Sequence, residues 1–155
     1  MAAEHGGDCV CGSGRKYKAC CRPFHDGGEP PDPESLMRSR FSAFAVGDGE
    51  YLWRTLHSAH PDRAREEREY VADLRRERQA LRFVRLRVLE AKDDRVLFHA
   101  EIYQLGKERS FLELSTFDRD EQAPGAPWRY LSGKLRVVRA GDRSLEGMTI
   151  AGCGL

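Results

Sequence analysis

Apolar residues recur with a helical period from residue 32 onwards. Asp32 can cap a first helix, Pro33 suits its first position, and Gly47 ends it. Spacings of three and four positions along this segment place one hydrophobic face on the helix, formed by Leu36, Met37, Phe41, Ala43 and Phe44.

Two further helices are predicted before the pattern changes. The second runs from about Asp48 to His60 and ends before Pro61. The third covers residues 62–80 and is rich in Arg and Glu, which indicates a solvated face with ion pairs at helical spacing rather than an RNA-binding surface.

The period changes to two after residue 82, which predicts strands. In FVRLRVLEA, Val84, Leu86 and Val88 alternate with Phe83, Arg85 and Arg87. Further strands are predicted in VLFHAEIYQL, in SFLELSTF, and from Trp128 into LRVVR. Helices first and antiparallel strands afterwards predict an α+β fold with the helices on one face of the sheet. His99, Glu101 and Tyr103 share one face of their strand, and we expect that face to be the wet outer one.

One arginine and one glutamate fall where the pattern predicts a core. Arg40 lies within the apolar face of the first helix, and Glu113 shares a strand face with Phe111 and Phe117. A buried charge is costly unless it is paired. We therefore predict an Arg40–Glu113 pair, supported by Ser115 or Tyr130. The alternative is that both line a pocket and bind a polar or anionic ligand.

Four of the five cysteines stand within CVCGSGRKYKACC, residues 9–21. The leader MAAEHGGD does not resemble a signal peptide, and no apolar run reaches the ~18 residues of a membrane span, so we expect a cytoplasmic protein with reduced thiols. Disulfides within C-x-C or C-C would be strained. Cys9, Cys11, Cys20 and Cys21 therefore predict a closed, structural Zn²⁺ site, with a redox C-x-C pair as the alternative. His5 and His25 flank the site but are not needed as ligands.

Basic residues surround these cysteines, namely Arg15, Lys16, Lys18 and Arg22. Four thiolates around Zn²⁺ leave a net negative charge, so these cations compensate the site or form a basic knob that docks an acidic protein or RNA. The formal net charge of the chain is only +1, which argues against a general nucleic-acid-binding surface.

The cysteine segment resembles the SEC-C motif, the zinc knuckle at the carboxyl end of the SecA translocation ATPase and in several small bacterial proteins. The segment DPESLMRSRFSAFAVGDGEYLWRTLHSAHP, together with ELSTF at 113–117 and WRYLSG at 128–133, resembles the YchJ-like family. That family joins a SEC-C knuckle to a nuclear-transport-factor-2-like (NTF2-like) domain. The second knuckle that some members carry at the carboxyl end is missing, because Cys153 stands there alone.

The resemblance implies a knuckle at 1–25, a hinge at 26–31 and an NTF2-like cone at 32–150. We expect few contacts to cross this hinge. The SEC-C motif of SecA is associated with the acidic chaperone SecB and with the ribosome, which suggests a similar partner for the knuckle. Cones of this kind often enclose a pocket, and here the polar residues that could line it include Arg40, His57, Tyr103, Glu113, Ser115 and Tyr130.

No nucleophile elbow, phosphate loop or metal-helix signature is present in the sequence. The sequence therefore favours a non-catalytic binding or adaptor module that uses its basic zinc knuckle to dock a protein or ribosomal partner. The alternative is a small enzyme or small-molecule-binding protein that uses the pocket of the cone. The catalytic residues, the ligand and the oligomeric state are not predicted.

Overall fold

The structure, a computed structural model, describes residues 7–155. His5 and the rest of the first six residues of the predicted knuckle lie outside this range. The elements of the described part are α1 (Arg22–His25), α2 (Pro33–Val46), α3 (Gly49–Arg54), α4 (Glu67–Arg78), β1 (Leu81–Lys92), β2 (Arg95–Gln104), β3 (Lys107–Glu108), β4 (Phe111–Arg119) and β5 (Trp128–Val137). The strands form one antiparallel sheet in the order β1-β2-β4-β5, with β3 paired to β2.

Helix α2 begins and ends where the sequence predicts. The Ser35 N–H donates to Asp32 Oδ1 at 2.7 Å, and Pro33 occupies the first turn. Gly47 ends the helix with φ of 82°, a left-handed conformation that glycine adopts without steric cost. The apolar face of α2 packs on the sheet, with Leu36, Met37 and Phe41 buried in the main core.

The second predicted helix is only half as long as expected. It is capped by Asp48 but ends at Arg54, not at His60. The chain then leaves the helix to pair with β5: the Tyr130 N–H donates to the Thr55 carbonyl and the His57 N–H donates to the Tyr130 carbonyl, both at 2.8 Å. A 3-10 turn at Pro61–Ala64 precedes α4, so the third helix is shorter than residues 62–80.

Strand β1 carries two bulges, which change the predicted alternation. Phe83 pairs with Ile102 and Arg85 with Glu101, so Val84 is an extra residue in the strand. This bulge places Phe83 on the same core-facing side as Leu86, whereas Val84 is exposed. The prediction that Val84 and Leu86 share one face is therefore wrong.

The outer face of the sheet is covered over part of its area, contrary to the expectation of a wet surface. His99 is 1% exposed, and its Nε2 donates to the Val138 carbonyl at 2.7 Å. The segment after β5 lies over this face and forms a second core of Leu97, Leu112, Leu114, Val138, Leu145 and Cys153. Glu101 and Tyr103 lie beyond this cover, half-buried, and the Tyr103 hydroxyl donates to Glu101 Oε2 at 3.2 Å.

The architecture confirms the predicted α+β class, with helices α2–α4 against one face of a curved antiparallel sheet. Within residues 7–155, no helix combines the length and the apolar character that crossing a bilayer requires.

Candidate metal centre and cone cavity

The four cysteines of the motif converge on one buried point. The sulfur atoms of Cys9, Cys11, Cys20 and Cys21 all lie within 4.8 Å of one another. The Cys11 and Cys20 sulfurs are 3.6 Å apart, and those of Cys20 and Cys21 are 3.9 Å apart. A tetrahedral zinc with Zn–S bonds of about 2.3 Å requires S···S separations of roughly 3.8 Å. The geometry therefore fits a four-thiolate metal site, and all four cysteines are free of disulfides.

Local backbone geometry produces this convergence. Gly12 and Gly14 have φ of 80° and 83°, and the Cys9 N–H donates to the Arg15 carbonyl at 2.8 Å, which closes the loop between the first two ligands and the last two. A Cβ on Gly12 would lie 2.8 Å from the Leu86 carbonyl oxygen of β1. Only glycine therefore allows this loop to approach the sheet so closely.

The thiols perturb one another strongly. Hydrogen bonds from Cys21 and Cys9 hold the pKa of Cys11 far below its ordinary value. The contact with Cys11 raises the pKa of Cys9 to about 12, and also raises that of Cys21. Among Cys9, Cys11 and Cys21, the crowded sulfurs thus favour a thiolate at Cys11, and a bound dication is what would allow Cys9 and Cys21 to ionise as well.

The predicted basic residues surround the site and are all exposed: Arg15, Lys16, Lys18 and Arg22. Lys16 Nζ lies 3.2 Å from Asp8 and Arg22 Nε 3.5 Å from Asp26, while Arg15 Nη2 lies 3.8 Å from the Cys20 sulfur. With Zn²⁺ bound, a four-thiolate site would carry two net negative charges, and Asp8 and Asp26 add two more. The four cations would then be matched by four negative charges in the knuckle and at the start of the hinge.

The knuckle is joined to the core by several buried contacts. The His25 Nε2–H donates to the Ser39 carbonyl at 2.9 Å, which leaves Nδ1 to accept from the Tyr17 hydroxyl at 2.7 Å. Arg38 Nη1 donates to the Cys11 carbonyl at 2.7 Å. All four cysteines share one hydrophobic cluster with Leu36, Met37, Phe41 and Leu86. The expectation that few contacts cross the hinge is therefore wrong.

The hinge itself is also anchored. Glu29 accepts two hydrogen bonds from Arg129, at 2.7 and 2.9 Å, and its pKa is lowered by this guanidinium. The Arg129 side chain is only 5% exposed, so the pair ties the hinge to β5. The predicted domain boundaries at residues 25, 31 and 150 stay predictions.

A cavity of about 510 Å³ lies between α2, α4 and the sheet. Its wall is mainly apolar and includes Met37, Phe41, Phe44, Leu56, Leu74, Leu81, Phe83, Phe98, Ala100, Ile102 and Phe111. Arg40, Glu113, Tyr130 and His60 provide polar groups deep in the wall, and Asp62, Arg65, Asp73, Glu77 and Arg78 add charges of both signs. The size falls in the range of small-molecule sites.

Arg40 and Glu113 both line this cavity, but they do not form the predicted ion pair. Arg40 is 4% exposed and Nη1 donates to the Leu52 carbonyl at 3.0 Å and to Thr55 Oγ1 at 2.7 Å. Its guanidinium lies 4.7 Å from the centre of the Tyr130 ring. Arg40 Nε is buried and has no hydrogen-bond partner among residues 7–155.

Glu113 is held by two hydroxyl groups. Ser115 Oγ donates to Glu113 Oε2 at 2.6 Å, and the Tyr130 hydroxyl donates to the same oxygen at 2.8 Å. Burial and the neighbouring Glu113 carboxylate raise the pKa of Tyr130, so its hydroxyl remains a donor. The predicted support by Ser115 and Tyr130 is thus present, but it serves Glu113 alone.

Two predicted pocket residues lie elsewhere. His57 is not part of the cavity wall, and its Nε2 donates to the Arg119 carbonyl at 3.2 Å. Tyr103 lies on the outer face of the sheet. His60 takes the place expected for His57: its ring lies 5.7 Å from that of Tyr130, and burial lowers its pKa. The break after Arg54 is not visible in the helical pattern, so that pattern does not distinguish between the two histidines.

Gly133 makes the Glu113–Tyr130 contact possible, and we expect Gly133→Ala to disrupt it. An added Cβ would lie 2.5 Å from the Tyr130 hydroxyl oxygen and closer still to Glu113 Oε2. Overpacking of this kind costs about 1–3 kcal/mol, which urea unfolding would measure. Gly141→Ala is the matched control, because no atom lies within 4 Å of its added Cβ. Equal stabilities of the two variants would contradict this account of the cavity wall.

Comparison with known proteins shows similarity along most of the chain. Residues 32–133 match the family described as "YchJ, middle NTF2-like domain", and residues 8–23 match the SEC-C motif. A UPF0225 protein of Deinococcus radiodurans is 43% identical over 61% of this chain and 65% of its own length. A UPF0225 protein of Bordetella pertussis is 36% identical over 83% of this chain and 92% of its own length.

Solved structures agree with this relationship. The solution structure of a SEC-C motif containing protein from Rhodopseudomonas palustris, 32% identical, covers 81% of this chain and 96% of its own, with a TM-score of 0.64. The crystal structure of a SEC-C motif containing protein from Psychrobacter arcticus is 20% identical in sequence. The match covers 84% of this chain and 83% of that protein's chain, with a TM-score of 0.60, and shows the same fold. The resemblance stated from the sequence is confirmed: the chain belongs to the YchJ-like family, with a SEC-C motif followed by an NTF2-like domain.

Proposed function

We propose that the protein is a small-molecule-binding module whose cone cavity is the functional site and whose knuckle holds one structural Zn²⁺. The observation that carries this proposal is Arg40, a buried guanidinium that lines a 510 Å³ cavity, has no carboxylate of residues 7–155 within 4.0 Å, and keeps one donor, Nε, without a hydrogen-bond partner. Buried polar groups are nearly always hydrogen-bonded, and exceptions are often functional.

The structural role of zinc is supported by the completeness of the ligand set. Four thiolates fill a tetrahedral site, and all four cysteines are buried, so no position is left for a water or a substrate. Cys9, Cys11, Cys20 and Cys21 would hold the metal, and its contribution there is to fix the knuckle against α2 and β1.

We expect the purified protein to contain one zinc per chain. Elemental analysis of protein prepared without chelator would measure the stoichiometry. Cys11→Ser should lose the metal, whereas Cys153→Ser should retain it, because Cys153 lies in the separate core on the outer face of the sheet. Metal-free protein with disulfides among the four cysteines would favour the redox alternative.

The cavity is tested independently by fragment binding. We expect small apolar fragments such as indole to shift the amide resonances of cavity-lining residues in ¹⁵N NMR spectra. Leu81→Trp should block this binding, because Leu81 is half-buried in the cavity wall. Leu135→Trp is the control, since Leu135 is exposed and outside the wall. Shifts that are absent, or that persist unchanged in Leu81→Trp, would contradict a binding role for the cone.

A second candidate function is docking of an acidic protein partner, such as a SecB-like chaperone, or of the ribosome, through the knuckle. The exposure of Arg15, Lys16, Lys18 and Arg22 favours it. The charge balance within the knuckle weakens it relative to the cavity, because little net positive charge remains to attract an acidic surface.

A further inference from the structure

We propose that the cone cavity binds a small carboxylic acid that has an apolar body and a hydrogen-bond donor beside its carboxylate. This inference rests on the proposed function and specifies its ligand class. It follows from the arrangement of two opposite charges, Arg40 and Glu113, around the ring and hydroxyl group of Tyr130.

Arg40 provides the site for the ligand carboxylate. The guanidinium of an arginine carries a delocalised positive charge, and no carboxylate of residues 7–155 lies within 4.0 Å of that of Arg40. Nη1 is occupied by Leu52 and Thr55, and Nε is enclosed by the protein without a partner, so Arg40 makes no hydrogen bond to a carboxylate of residues 7–155. A buried charge is costly without a counter-charge, and because Arg40 lines the cavity, a ligand carboxylate bound there would supply one. An anionic oxygen is therefore the group that this wall lacks.

Glu113 is the reason why the ligand needs a hydrogen-bond donor beside its carboxylate. Both hydroxyl donors, Ser115 and Tyr130, bind Oε2, and no described residue donates to Oε1. A ligand with a carboxylate alone would be repelled by Glu113. A hydroxyl or ammonium group beside the carboxylate would instead donate to Glu113 while the carboxylate binds Arg40. The two protein charges thus select a head group that both accepts and donates.

The remainder of the cavity suits an apolar body. Phe41, Phe44, Phe83, Phe98 and Phe111 surround it. The charges nearer its edge are of both signs, and Arg65 and Asp73 form a pair with each other. Discrimination between ligands of equal size therefore depends on Arg40 and Glu113.

The test uses four phenyl compounds that differ mainly in the head: 3-phenyllactate, 3-phenylpropionate, 2-phenylethanol and ethylbenzene. Dissociation constants would be measured by ¹⁵N NMR titration of the full-length zinc-loaded protein. We expect 3-phenyllactate to bind about tenfold more tightly than 3-phenylpropionate, the advantage of one additional hydrogen bond to a charged acceptor. Equal affinities for the two acids would overturn the assignment.

Variants assign the contacts to residues. Arg40→Met should weaken the binding of both acids at least tenfold and leave the binding of ethylbenzene unchanged. Arg40→Lys keeps a positive charge but not the planar guanidinium, so it should also weaken the binding of both acids. It serves as the second variant if Arg40→Met fails to fold. Glu113→Gln removes the repulsion, so 3-phenylpropionate should gain affinity and the advantage of 3-phenyllactate should shrink. Unchanged acid affinities in these variants would overturn the proposal.

The outcomes also separate this inference from the proposed function. If ethylbenzene shifts cavity amides but the acids show no preference that depends on Arg40, the ligand class is wrong and the binding role of the cone stands. If none of the four compounds shifts a cavity amide, both are overturned.

Discussion

Removal of zinc is expected to destabilise the entire chain and not only the knuckle. The four cysteines belong to the same buried cluster as Leu36, Met37 and Phe41 of α2 and Leu86 of β1. Structural zinc contributes about 10–16 kcal/mol to the folding of isolated zinc-finger peptides. Even a third of that contribution would lower the melting temperature by about 10 °C, at ~2–4 °C per kcal/mol for a chain of this size.

Thermal unfolding followed by circular dichroism, with and without EDTA, would measure this change. Hydrogen exchange would locate it, because amides of α2 and β1 should lose protection together with those of the knuckle. Cys153→Ser serves as a control with the same response to chelation as the wild type. Loss of protection confined to residues before the hinge, with an unchanged melting temperature, would show that the knuckle is independent of the core.

Leu145→Ala is expected to destabilise the protein strongly, because the segment after β5 covers the outer face of the sheet through this residue. Leu145 is 0% exposed and packs with Leu97, Leu112 and Leu114 on the outer face. Truncation of a fully buried leucine to alanine costs about 2–5 kcal/mol, because it removes apolar contacts and leaves a cavity.

Chemical denaturation would measure the free energy of unfolding of this variant. Leu135→Ala is the matched control: Leu135 is 58% exposed, and its truncation should change stability by no more than about 0.5 kcal/mol. A stability loss of Leu145→Ala no larger than that of the control would mean that the segment after β5 does not support the sheet.

Local signals made much of the fold predictable. Asp32, Pro33 and Gly47 define α2 through capping and backbone preference, which depend only on neighbouring residues. The convergence of the four cysteines was predictable because their spacing is short and the loop between them contains Gly12 and Gly14. The presence of strands in the second half follows from alternation and from the turns at Asp93 and Gly106, which separate β1 from β2 and β2 from β3.

Features that depend on distant contacts were not predictable from the pattern. Helix α3 ends at Arg54 because the chain pairs with Tyr130, more than seventy residues away. The bulge at Val84 reverses the phase of β1 without any glycine to mark it. The apolar side chains of Leu97, Leu112 and Leu114, which point away from the helices, were a signal that the outer face is covered, but not of what covers it.

In the candidate site, too, local patterns were predictable and distant contacts were not. Helical and strand phase correctly brought Arg40 and Glu113 to one side of the sheet, and both line the cavity. Their separation around Tyr130 depends on residues 52–55, because the Leu52 carbonyl and the Thr55 hydroxyl accept hydrogen bonds from Arg40 Nη1. Because this short segment binds Arg40, the two residues that were predicted to form an ion pair are separate polar groups in the cavity wall.

Intermolecular NOEs between the zinc-loaded protein and 3-phenyllactate would test most directly whether the cone is a small-molecule site. We expect contacts from the phenyl protons to Phe98 and Phe111 and from the carbon-bound protons of the head group to the Tyr130 ring. Contacts confined to the knuckle around Tyr17, or to exposed side chains such as Leu135, would contradict it.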